Sequence, residues 1–124
     1  MATNALHSLT TGTANTGSGF QTLINNTTGS WNTASGAEAL YFNQTGDYNT
    51  AIGGWALEFN SSSNNTAAGY LALKNNSSGS NNTAVGYEAL QSSFNDTVGA
   101  LGTGSDNTAI GSGALYSSVR QFSP

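Results

Sequence analysis

One phrase returns along this chain at nearly fixed spacing, and a period of that kind constrains the architecture before any local reading does. Its clearest copy is Asn82-Thr83-Ala84-Val85-Gly86-Tyr87-Glu88-Ala89-Leu90. Seven copies begin at Asn15, Asn32, Asn49, Asn65, Asn82, Asn95 and Asn107, in steps of 17, 17, 16, 17, 13 and 12 residues. The fifth position is glycine in every copy: Gly19, Gly36, Gly53, Gly69, Gly86, Gly99 and Gly111. A leucine closes each one: Leu23, Leu40, Leu57, Leu73, Leu90, Leu101 and Leu115. The spacers between copies vary in length while the motif holds, which marks them as surface loops.

Twelve to seventeen residues per repeat are too few for two helices, and the glycine and asparagine content discourages helix. The length suits one coil of a β-solenoid, each coil stacked on the last about 4.8 Å along the axis. Seven coils give a rod of roughly 34 Å. The fold class expected is all-β, a repeat β-solenoid or β-roll. The motif reads as two short strands around a glycine turn, where a positive φ or a close backbone approach calls for glycine. Strand alternation puts the second and fourth positions on one face. The fourth is Ile52, Ala68, Val85, Val98 or Ile110 in five copies, so that face is expected to point inward, threonine with it, and the alanine between them outward. An outward row of alanines lets another chain approach closely, and a homotrimer is the assembly expected from it.

Residues 1–14 read as an incomplete first coil or cap, 15–116 as the seven-repeat solenoid, and 117–124 as a C-terminal cap or tail. Ala5-Leu6 and Thr10-Thr11-Gly12 match the end of a motif and the spacer Thr27-Thr28-Gly29, so the chain begins mid-repeat. Charged residues make up 6% of it, against about 25% in an ordinary domain. Lys74 and Arg120 are the only basic residues, and the net charge is −4, so a nucleic-acid partner is not expected. No run approaches the roughly 18 apolar residues of a spanning helix, and no membrane insertion is expected. The N-terminus lacks the basic and apolar regions of a secretory signal. The absence of cysteine excludes disulfides and thiolate metal sites.

The phrase Asn-Thr-Ala-(Ile/Val)-Gly-x-x-Ala-Leu, joined by spacers such as Asn25-Asn26-Thr27-Thr28-Gly29-Ser30, resembles repeats of phage tail-fibre-like and bacterial surface proteins. It is also similar to the Asn-Ser-x-Ala-Ile-Gly repeats in YadA-like heads of trimeric autotransporter adhesins. The resemblance implies a trimeric left-handed β-roll over about residues 4–116. It further implies a place outside the cell, on a cell surface or a virion. The period here is mostly longer than that of the adhesin heads.

Candidate chemistry is thin. His7 is the only histidine and has no cysteine or carboxylate near it in sequence. Glu38 and Glu88 share a motif position, but three coils separate them by about 14 Å. That exceeds the roughly 5–9.5 Å between glycosidase carboxylates. Asp47, Asp96 and Asp106 sit in neither a calcium β-roll repeat nor an EF-hand loop. No enzyme activity, cofactor or metal is expected. The motif asparagines are expected to bond coil to coil as a ladder of stacked amides. Asn26, Asn43, Asn60 and Asn76 form Asn-x-Ser/Thr sequons, read as by-products of the spacer composition. The aromatics Trp31, Tyr48, Trp55, Tyr70 and Tyr87 are expected first to pack between coils or subunits and are also candidates for surface contact, including stacking on sugar rings, with Trp31 and Tyr48 at matching positions.

The function expected is that of a structural and adhesive fibre module, with itself as partner and a cell-surface glycan or matrix as its contact. The alternatives are a subunit of a self-assembling extracellular filament and an ice-binding solenoid. The last requires the row Thr16, Thr33, Thr50, Thr66, Thr83 and Thr108 to be exposed, and so the alanines to face inward.

Overall fold

A computed structural model describes residues 4–91 and 104–116. Six three-residue strands form one parallel sheet in chain order: β1 Thr16–Ser18, β2 Thr33–Ser35, β3 Thr50–Ile52, β4 Thr66–Ala68, β5 Thr83–Val85 and β6 Thr108–Ile110. Each threonine pairs with the threonine of the next strand, and each central residue with the next central residue. The expected β-solenoid is the fold observed, with no helix among the described residues. Six rungs span about 24 Å at the usual strand spacing.

Each coil carries one strand, not two. The limb after the glycine bonds rung to rung without being extended. Leu23, Leu40, Leu57, Leu73 and Leu90 have φ of 50–53° and are buried. Their amides donate to the carbonyls of Ala39, Ala56, Ala72, Ala89 and Ala114 at 2.9–3.1 Å. A left-handed backbone costs a non-glycine residue about 1–2 kcal/mol. Burying a leucine side chain returns about 1.5–3 kcal/mol, which offsets that strain.

The two faces of the strand are the reverse of the sequence expectation. Ala34, Ala51, Ala67 and Ala84 are fully buried, whereas Ile52 is 51% and Ile110 72% exposed. Thr16, Thr33, Thr66 and Thr108 are exposed, and Thr50 and Thr83 half-buried. The reason is room. The inward strand residue meets the opposite limb of its own coil, where Ala39, Ala56, Ala72 and Ala89 are also buried. In the first coil Gly17 replaces the strand alanine and Thr22 the facing one, and a Cβ at Gly17 would lie 3.1 Å from Thr22 Oγ1. The cross-section there holds about two methyl groups, so isoleucine is turned out although it is the more apolar residue.

The count of coils also differs. β5 pairs directly with β6, and the Asn107 amide bonds Asn82 Oδ1 at 3.0 Å across 25 residues. The sixth motif copy (Asn95, Gly99, Leu101) therefore adds no rung between them, and those residues themselves lie outside the described set. The corner glycines hold φ between 128° and 142°. A Cβ at Gly53 would fall 2.6 Å from Gly69 O on the next rung, so both the backbone angle and the close approach require glycine.

Candidate functional site

Two amide ladders hold the rungs in register. Along the first, the amides of Asn32, Asn49, Asn65, Asn82 and Asn107 donate to Oδ1 of Asn15, Asn32, Asn49, Asn65 and Asn82 at 2.9–3.0 Å. The second consists of Asn26, Asn43, Asn60 and Asn76, all buried. Asn60 Nδ2 donates to Asn43 Oδ1, and Asn76 Nδ2 to Asn60 Oδ1, both at 2.9 Å. The two ladders meet at shared carbonyls. Asn15 and Asn26 both donate to Gly29 O, and Asn32 and Asn43 both to Gly46 O. The spacer asparagines are thus wall posts rather than by-products, and their burial closes them to glycan attachment. Their spacing of 17, 17 and 16 residues carried that signal.

With most of the ladder amides bonded inside, the surface offered for contact is outside. The sheet presents two columns. One is threonine on every rung. The other is Ser18, Ser35, Ile52, Ala68, Val85 and Ile110. Neither column carries a charge. The row of alanines read as a docking stripe is on the other side of the strand, inside the coil.

The aromatics occupy separate edges. Trp31 and Tyr48 directly precede the motif asparagines and are each 59% exposed, their rings parallel within 8° at 6.5 Å. On the corner after the glycines, Tyr70 and Tyr87 stack at 5.8 Å, and Trp55 meets Tyr70 edge-on at 5.3 Å. Lys74 Nζ lies 5.3 Å above the Trp55 ring and 3.1 Å from Glu58. So Trp55 is tied into a local ion pair, and Tyr87 is the open end of that row.

Apart from the Lys74–Glu58 pair and the Tyr87–Glu88 contact, the titratable groups among the described residues make separate contacts. His7 is exposed, in the segment before β1. Glu38 and Glu88 occupy the same coil position, with Trp55 and Leu71 on the rungs between them. Asp47 Oδ1 accepts the Ser30 amide at 2.7 Å, and Asp106 Oδ1 accepts from Asn81 Nδ2 at 3.0 Å. The Tyr87 phenol is held above its ordinary range, first by its hydrogen bond to Glu88 and then by the charge of that carboxylate. Among the described residues no three His, Cys, Asp or Glu side chains come together as a metal-binding group. No known family, curated protein or solved structure matches this chain.

Proposed function

We propose that the chain is a structural and adhesive rod module that works outside the cell, on a cell surface or a virion. It associates with copies of itself and presents its aromatic edges to a glycan or matrix. The observation that supports this is the uncharged outer face of the sheet, with Ile52, Val85 and Ile110 exposed on it. A second copy carries the same columns at the same rung spacing.

Area decides how strong that contact is. Three residues of width and about 24 Å of length give a flat face of roughly 240 Å². A stable interface buries about 800 Å² per partner. The sheet face alone gives a weak association, which strengthens as more of each coil is enclosed, as around a threefold axis. Light scattering over a concentration series tests it. A limiting mass of three chains is the expected result. Mass that keeps growing makes the chain a filament subunit, and a monomer at millimolar concentration refutes self-association.

A second reading has its own observation. The threonine column faces outward on every rung, as an ice-binding surface requires. The neighbouring column argues against it, since it varies from Ser18 and Ala68 to Ile52 and Ile110 and is not level. Thermal hysteresis that disappears in Thr50→Leu and Thr83→Leu would establish ice binding. Freezing without hysteresis would exclude it.

A further inference from the structure

The residue that precedes the motif asparagine is left-handed on every described rung: Ala14, Trp31, Tyr48, Asn64, Asn81 and Asp106, with φ of 56–63°. Asparagine and aspartate accept that backbone readily, because their short polar side chains bond locally. Tryptophan and tyrosine are costly choices there. Leucine at its own left-handed position is repaid by burial, but Trp31 and Tyr48 are more than half exposed. Their mutual stacking recovers only part of the strain. Among the described residues neither Trp31 Nε1 nor Tyr48 Oη has a hydrogen-bond partner. The core gains little from these two rings, and the backbone would be easier with asparagine. A bulky residue in a strained, exposed position points to a role outside the fold.

The backbone beneath them is fixed. The amides of Trp31, Tyr48, Asn64 and Asp106 each donate to a carbonyl of the preceding rung at 3.0 Å. The row therefore offers two parallel aromatic rings, then two exposed amides, then a carboxylate, all on one line. Trp31 to Asp106 covers five rungs, four steps of about 4.8 Å or about 19 Å. We infer that this line is a binding platform for a neutral oligosaccharide laid along the rod axis. Its sugar rings pack against the exposed surface of Trp31 and Tyr48. Its hydroxyls bond the Asn64 side-chain amide and the Asn81 side-chain carbonyl oxygen, the Asn81 Nδ2 being given to Asp106 at 3.0 Å. Asp106 and the net charge of −4 disfavour sulfated, sialylated or uronic-acid chains. The inference rests on the adhesive reading and names the ligand class of that contact.

The test is isothermal titration calorimetry of the full chain with cellotetraose, mannotetraose, chitotetraose and the anionic tetragalacturonate. At least one neutral tetrasaccharide is expected to bind, and tetragalacturonate is not. Trp31→Ala and Tyr48→Ala should each weaken binding about 2- to 12-fold, the range of one aromatic contact. Trp31→Phe should restore most of the loss, and circular dichroism should show every variant folded. Absence of binding by all the neutral sugars, or full affinity in both alanine variants, overturns the platform. Adhesion of the protein to cells, measured separately, keeps the two readings apart. Adhesion that survives the double alanine variant refutes the platform and leaves the adhesive module standing, whereas a wild-type chain that adheres to nothing refutes the module.

Discussion

Replacing Asn49 with alanine removes one post of the inner amide ladder. The side chain is fully buried. Its Oδ1 accepts the Asn65 amide at 3.0 Å, and its Nδ2 donates to Ser62 O at 2.9 Å. Alanine leaves the buried Asn65 amide without a partner, whereas Ser62 O keeps a second donor, Asn60 Nδ2, at 2.7 Å. An unsatisfied buried group costs about 1–3 kcal/mol. A chain of this length is stabilised by roughly 6–19 kcal/mol in all. Asn49→Ala should therefore remove a measurable share of the stability. At about 4 °C per kcal/mol it lowers the melting temperature by roughly 4–12 °C. Ser35→Ala is the control: an exposed polar side chain on the outer face of the sheet, expected within about 0.5 kcal/mol of wild type. Urea titration measures both, and amide exchange locates the damage. Each coil contacts only its neighbours, so protection should fall first at Asn65. A loss under about 0.5 kcal/mol in Asn49→Ala, with the Asn65 amide still protected, would refute the ladder as a source of stability.

Further outcomes follow from the same geometry. Ala51→Ile should destabilise by about 1–3 kcal/mol through overpacking, whereas Ile52→Ser should be close to neutral in urea titration. The opposite order would return isoleucine to the core. Gly53→Ala sets a Cβ against the backbone of the next rung at a φ that disfavours alanine, so its melting temperature should drop by more than that of Gly54→Ala, whose nearest neighbour is the Tyr70 ring at 3.4 Å. Tyr87 should ionise later than an ordinary tyrosine when followed by ultraviolet titration, and Glu88→Gln should bring it back. The raised value favours the protonated phenol in the fold. Its contribution is therefore complete below the unfolded tyrosine pKa, near 10, and is lost as pH rises through the folded one.

The period, the glycine corners and the buried leucines were legible because each is a residue type fixed at one place in the repeat. The solenoid follows from them. The faces of the strand were not legible. Alternation says that Thr50 and Ile52 share a side, but it does not say which side. The usual guide, that the more apolar residue goes in, fails where the coil is too narrow for more than a methyl group. Gly17 opposite Thr22 was the clue, since a smaller residue on one limb accompanies a larger one on the other. The spacer ladder of Asn26, Asn43, Asn60 and Asn76 was hidden by chemistry shared with ordinary polar loops. The copy at Asn95 misled for a different reason. A motif match does not fix pairing, and the hydrogen bond from Asn107 to Asn82 shows which rungs are neighbours.

That bond also separates two quantities that are tied together in most proteins. The step from Asn82 to Asn107 takes 25 residues where others take 16 or 17, yet the sheet register and the amide ladder are unbroken across it. Lengthening a loop from 17 to 25 residues adds only about 0.3 kcal/mol of closure entropy. The height of the rod is counted in asparagines, not in residues. The spacer side can therefore take on sequence without changing the reach of the rod, which makes it the natural port for grafted peptides.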